Sequence, residues 1–211
     1  NHIAGNTMAG SPHSAGTHLP IGDLKLNFTY PEGELSDYHH ELDLTTATNT
    51  VTYKVGDTEY TRQCIASNPD DVIAMHIKAS RPESITVELE LQPLRNAEVV
   101  ASGNQLIYTG NAEFEKHGRG GVLFEGRIAA EIKGGTIKAD GKKLLIDKAT
   151  EVLLLSDVRT NYKNTTFAGY DYQQKCKETI EAASKKSFKT LRNTHVEDYT
   201  PLFSRVALSF G

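Results

Sequence analysis

The sequence predicts a mainly β chain, an antiparallel double sheet followed by a helical linker, and three observations carry that reading. From Asp23 to Asp157, short runs of alternating apolar and polar residues are cut by Gly, Asn and Asp, the pattern of half-buried strands joined by turns. From Gln173 to Arg205 the periodicity changes to spacings of three and four in Ala-, Lys- and Glu-rich sequence, which is helical. The strand-like runs number roughly ten, more than an immunoglobulin-like domain uses, so a large double sheet is favoured.

The first run is Asp23 to Thr29, where Leu24, Leu26 and Phe28 share one face and Lys25, Asn27 and Thr29 the other. Pro31-Glu32-Gly33-Glu34 turns it. Tyr38 to Thr46 follows, with Leu42 and Leu44 set between Glu41, Asp43 and Thr45. Val51 to Val55 and Glu59 to Ile65 flank Gly56-Asp57, a hairpin signal in the reverse of the commonest order. Asn68-Pro69-Asp70 marks the next turn, because proline fixes its own φ and asparagine tolerates turn geometry. Val72 to Ala79 and Ser84 to Gln92 form another pair around Arg81-Pro82-Glu83. Further strands are expected at Gln105–Thr109, Val122–Ile132, Thr136–Ala139, Lys142–Asp147 and Glu151–Ser156. Glu113 to Gly121, with Gly118, Gly120 and Gly121, breaks the pattern and reads as a functional or interface loop or a long hairpin end.

In the helical part Cys176, Ile180 and Ala183 make an apolar stripe that Phe188 and Leu191 continue, with Ser184 or Ser187 placed to cap a second helix. Pro201 should break a helix away from its start. The stripe must pack against something, and the sheets alone look insufficient for all of it. The chain opens at Asn1 in a Gly-, Ser- and His-rich stretch and stops soon after its helical part. That points to the accessory part of a larger enzyme.

Composition excludes several classes. The net charge is −4 with dispersed Lys and Arg, unlike the gathered basic face of a nucleic-acid binder. No apolar run approaches the ~20 residues of a membrane-spanning helix. Cys64 falls on a strand and Cys176 on a helix; two free thiols are expected, a disulfide being the alternative. The sequons at Asn27 and Asn164 matter only in a eukaryotic secretory pathway.

No complete active site is legible. His39 and His40 are adjacent on a strand and point to opposite faces, so they cannot share a metal. His13 and His18 have no helical metal spacing, His76 reads as a hydrogen-bonded strand residue, and His195 is expected on the surface of the tail helix. Glu41 with Asp43, and Glu88 with Glu90, are same-face pairs on strands and read as solvent faces rather than the facing carboxyls of a glycosidase. Gly118-Arg119-Gly120-Gly121 lacks the Lys-Ser/Thr of a P-loop, and no Gly-x-Ser-x-Gly elbow occurs. No metal and no cofactor are expected.

An ordered set of segments carries a resemblance. It runs through His18-Leu19-Pro20-Ile21-Gly22-Asp23-Leu24-Lys25-Leu26, Tyr38-His39-His40-Glu41-Leu42-Asp43-Leu44-Thr45-Thr46-Ala47, and Tyr60 to Ile73 with its Ser67-Asn68-Pro69-Asp70-Asp71 turn. It closes with Thr160-Asn161-Tyr162-Lys163-Asn164 and His195 to Val206. Together these resemble the N-terminal domain of glycoside hydrolase family 95, the inverting α-L-fucosidases. The resemblance implies a β-supersandwich over residues 1–165, whose first strands are missing or lie upstream of Asn1, then a helical linker over residues 166–211. It also implies an (α/α)6 barrel beyond Gly211 that holds the catalytic Glu and Asp, so no catalytic residue is assigned to this chain. Such enzymes release α-linked L-fucose, some preferring L-galactose, from glycans. The sequence departs from the family before the Pro-Leu-Gly-Asp run, where the usual Gln has no match beside His18-Leu19-Pro20-Ile21.

On that resemblance the chain buttresses its own C-terminal catalytic domain, with a periplasmic or secreted bacterial location. His13 and His18 are the candidates for contact with the sugar at the pocket rim, and Tyr162 and Asn164 for the domain interface. The rival is a free-standing carbohydrate-binding sandwich; the lack of Trp, with many of the Tyr and Phe at core-facing positions, weighs against it. A purely structural domain without a ligand is the third reading.

Overall fold

A computed structural model describes residues 20–94, 96–112, 122–162 and 171–207. Among these, twelve strands and two helices follow in order: β1 Gly22–Thr29, β2 Leu35–Asp43, β3 Thr48–Val55, β4 Thr58–Ser67, β5 Val72–Ala79, β6 Ile85–Pro93, β7 Ala97–Ser102, β8 Gln105–Ala112, β9 Val122–Lys133, β10 Thr136–Asp140, β11 Lys143–Ala149, β12 Glu151–Thr160, α1 Tyr172–Ala183 and α2 Phe188–Phe203. The expected loop at 113–121 lies outside the described residues.

The strands form a four-stranded sheet, β1-β6-β11-β10, against an eight-stranded sheet, β2-β3-β4-β5-β12-β9-β8-β7, and the paired strands run antiparallel. This is the expected sandwich. Its core draws Val87, Leu89, Leu144 and Ile146 from the small sheet and Tyr60, Ile77, Leu106, Phe124 and Leu154 from the large one. The two sheets are tied along one long side, where the Ala101 N–H of β7 donates to Gly141 O beside β10. Near β1, on the opposite side, the Arg62 guanidinium of β4 lies 4.2 Å from the Phe28 ring and 5.0 Å from the Tyr53 ring. It donates to the hydroxyls of Tyr30 and Tyr53, which also bond each other at 2.7 Å.

The helices cover the outer face of the large sheet. Ile180, Ala183, Phe188 and Leu191 close a second apolar cluster with Ile65, Val72, Ala74, Ala129, Leu153 and Leu155. So the sheet does receive the helical stripe, correcting the expectation that it would be insufficient; only the last turn, with Leu202 and Phe203, stays exposed. Coverage on both faces explains the unbroken run Val152-Leu153-Leu154-Leu155, all buried, since a strand with two dry faces has no polar side to alternate with. Asp171 caps α1 by accepting from Gln174 N at 2.9 Å. Ser187 caps α2 by accepting from Thr190 N at 3.1 Å. Pro201 sits inside α2, but only two residues before its end at Phe203, where its missing N–H costs a single backbone bond.

Two strands differ from expectation. β2 ends at Asp43 with Leu42 and Leu44 exposed, because it is an edge strand whose register breaks between Ser36 and His39 beside Asp37 at φ 51°. β7 was not foreseen; of its six residues only Val99 is buried, too little alternation to register as a period.

Candidate interaction surface

Registers place the turns and strand ends. The β2–β3 and β4–β5 turns, the end of β12, the start of β9 and the end of β8 all lie at one end of the large sheet. The helices grip the two turns. His195 is 5% exposed rather than on the surface, and its Nε2 donates to Thr46 O at 3.0 Å. The Tyr199 hydroxyl donates to Leu44 O at 2.9 Å, and the Tyr199 ring stacks on Phe203. At the next turn Lys186 Nζ reaches Asp70, which also accepts from Ser67 Oγ, and Asn68 Nδ2 donates to Asp198. The Thr45 and Thr46 hydroxyls and the Thr45 N–H hold the Asp43 carboxyl down to about 2. Each turn is therefore stiffened within itself and then fixed by a helix.

Beneath α1 the outer face of β9 and β12 becomes polar. Asp157 stands opposite Arg127 and Arg159 opposite Glu125, a checkerboard of alternating charge. Glu125, 3% exposed, accepts from Arg127 Nε at 2.7 Å and from Gln173 Nε2 of α1 at 3.0 Å. Asp157, 8% exposed, accepts from Arg159 Nε at 2.7 Å. Arg159 extends to Asp71 at 3.1 Å and Thr179 of α1 at 3.4 Å. Burial pushes the Asp157 carboxyl up despite the guanidinium beside it, and pushes the Cys176 thiol up to about 12. These carboxylates are covered by a helix and already satisfied by arginines, so they cannot act as acid and base on a sugar. They orient α1 instead. The sequence signal for them, Glu125-x-Arg127 and Asp157-x-Arg159, is a same-face pair of opposite charges on otherwise apolar strands.

His13, His18 and Asn164 lie outside the described residues. Tyr162 lies two residues past β12 and is 57% exposed, next to Asn161, which closes the strand by exchanging bonds with Leu123. His76 is hydrogen-bonded as expected: its Nε2 meets Glu151 at 3.3 Å while its ring stacks on Phe188, and burial lowers its pKa. Glu88 and Glu90 both meet Lys143, at 2.8 and 3.2 Å, as a solvent face would. Cys64 and Cys176 are free thiols. Among the described residues no cluster of three or more His, Cys, Asp or Glu suits a metal, and no helix is long and apolar enough to cross a membrane.

A family model, glycosyl hydrolase family 65, N-terminal domain, matches residues 1–165. The chain belongs to that family. Among curated relatives, alpha-L-fucosidase 2 of Arabidopsis thaliana is 29% identical over 89% of this chain and 25% of its own length. An Aspergillus niger protein designated "Probable alpha-fucosidase A" is 28% identical over 87% of this chain and 25% of its own. This glycosyl hydrolase N-terminal domain thus spans about a quarter of the relatives it matches. Its likeness to fucosidases agrees with the family 95 resemblance of its segments. A structure designated "Putative kojibiose phosphorylase from human microbiome" shares the fold, with a TM-score of 0.58 at 12% identity over 83% of this chain and 27% of that one. So does a bacterial glucoamylase complexed with acarbose, with a TM-score of 0.52 at 10% identity over 86% of this chain and 32% of that one.

Proposed function

We propose that this domain is the non-catalytic sandwich and linker of an inverting α-L-fucosidase that releases terminal α-linked L-fucose, or L-galactose, from glycans. The observation that carries the reading is the fucosidase likeness along most of this chain, confined to a quarter of those relatives. The buried, arginine-paired state of Glu125 and Asp157 supports leaving the reaction to the remainder of the polypeptide. The domain's work is then mechanical: it supports a C-terminal catalytic domain and lends loop residues, His13 and His18 among them, to the pocket rim. A glycan-processing enzyme of this kind acts where glycans are, so a periplasmic or secreted bacterial location belongs to the proposal. The free-standing sugar-binding reading is disfavoured, because Tyr53, Tyr60, Tyr108 and Phe124 are spent on the core and cannot stack on a sugar face.

The test is hydrolysis by the complete polypeptide of an α-1,2-fucosylated oligosaccharide, followed by proton NMR. The reading expects β-L-fucose to appear first, and expects no release by residues 1–211 alone. Release of a different sugar, or retention of the anomeric configuration, would end it.

A further inference from the structure

Most of the exposed large apolar side chains among the described residues gather at the end of the large sheet that carries the β2–β3 and β4–β5 turns. On the inner face, Ile73 is 54% and Val158 36% exposed. With Ala66 and Ser156 they line a groove of about 390 Å³ that the small sheet leaves uncovered. On the outer side, Leu44 is 60%, Leu202 54%, Phe203 41% and Val206 72% exposed. Between the two stands the β4–β5 turn, fixed to α2 through Asp198 and to the link between the helices through Lys186.

We infer that this end of the sandwich is the docking surface for the catalytic domain, an inference that rests on the fucosidase reading. Isolated exposed apolar residues are ordinary, but a gathered set rimmed by polar groups marks an interaction site. Among the described residues that line it, the groove has no aromatic ring to stack on a sugar, so its chemistry suits apolar side chains of protein rather than a glycan. The occupant follows from size and position. The fucosidase relatives carry about three quarters of their length outside the matched region. Helix α2 delivers the chain to this same end, where Thr200 meets Thr45 and Leu202 and Phe203 face outward. A domain tethered there meets the apolar end first. Tyr162, just past the end of β12, lies at the same end and belongs to the proposed surface.

Rigidity of the turns makes the surface usable. Asp43 with Thr45 and Thr46, and Asp70 with Ser67 and Lys186, hold the turns that frame it, so little ordering is left for the moment of contact.

The test uses the complete polypeptide and two double variants, Ile73→Asp with Val158→Asp, and Leu202→Asp with Phe203→Asp. The comparison is Leu35→Asp, 63% exposed at the opposite end. Docking expects each double variant to lower the thermal midpoint by about 5 °C or more, or to split one transition into two. It also expects faster deuterium uptake over residues 68–73 and 156–160, with Leu35→Asp changing neither. Double variants that match Leu35→Asp in both readouts overturn the inference. So does a shift that merely tracks the loss of a dimer in sedimentation, which would assign the surface to a second copy. Neither readout needs turnover. A docked polypeptide without fucosidase activity therefore sinks the functional reading alone, and an active fucosidase insensitive to these substitutions sinks the docking alone.

Discussion

Replacing Arg159 with Met isolates the role of the charges beneath α1. The guanidinium gives its Nε to Asp157 at 2.7 Å and reaches Asp71 at 3.1 Å and Thr179 at 3.4 Å. Without it the Asp157 carboxylate, 8% exposed, has lost its charged partner under a helix. An uncompensated buried charge of this kind costs about 3–5 kcal/mol. With a urea slope of about 2.5 kcal/mol per molar, that moves the midpoint down by roughly 1.6 M. The converse change, Asp157→Asn, should cost less, about 1–2 kcal/mol, because Arg159 keeps Asp71, which is 56% exposed and shares its charge with water. The double variant should recover most of the loss, since no charge remains to be buried alone. The pH dependence has a definite sign. The folded-state pKa of Asp157 is raised above its ordinary value, so its protonated form favours folding, and that stability is lost as pH rises through the raised pKa. The Arg159→Met deficit should therefore be largest near neutral pH and shrink as pH falls toward about 4. Far-ultraviolet dichroism and tyrosine fluorescence can follow the unfolding, since the chain has no Trp. A single variant losing less than about 1 kcal/mol, or a double variant losing as much as Arg159→Met, would refute this account of the interface.

Three other outcomes are expected. Gly126→Ala should lower stability by about 3 kcal/mol or more, because the new methyl would lie 2.0 Å from Cζ of the buried Tyr108 ring; Tyr108→Ala in the same chain should relieve most of the clash, and a wild-type melting curve for Gly126→Ala would contradict it. Cys176, buried and with its thiol pushed up to about 12, should resist Ellman's reagent at pH 8 in the native chain, with two thiols per chain titrating in urea; one thiol or none in urea would reveal a disulfide. His195→Ala removes the bond to Thr46 O and the stack on Tyr199, so it should cost about 1–2 kcal/mol and speed amide exchange in the β2–β3 turn; unchanged exchange there would mean the helix does not hold the turn.

Strands with one wet face, such as β1 and β6, show their period most plainly in the sequence. In β1 polar residues alternate with half-buried apolar ones and in β6 with buried ones, so period and boundary are both visible. What escaped notice has a physical reason in each case. β7 buries one side chain and leans on its partners for definition. Leu42 and Leu44 alternate correctly, but the edge strand that carries Leu42 and the turn that carries Leu44 have no apolar layer to face. His195 sits on a helix whose polar residues suggest water, yet Thr46, some 150 residues earlier, supplies the acceptor that draws it inside. The ionic lattice was written in plain view as two Glu/Asp-x-Arg pairs. Nothing local indicated that β9 and β12 would be neighbours, and only that adjacency turns two ordinary pairs into a checkerboard.

The unequal long sides of the sandwich bear on how it comes apart. Along β7 and β10 the sheets share a backbone bond from Ala101 to Gly141, a spine that side-chain motion does not undo. Along β1, among the described residues, they are held by side chains: the Arg62 guanidinium is caught between Phe28, Tyr30 and Tyr53, and the Tyr30 and Tyr53 hydroxyls bond each other. Such a body opens like a book, and Arg62 is its clasp. Force or heat would part the covers at β1 while the spine stays shut, so the earliest opening is a swing of the small sheet rather than dissolution of the core.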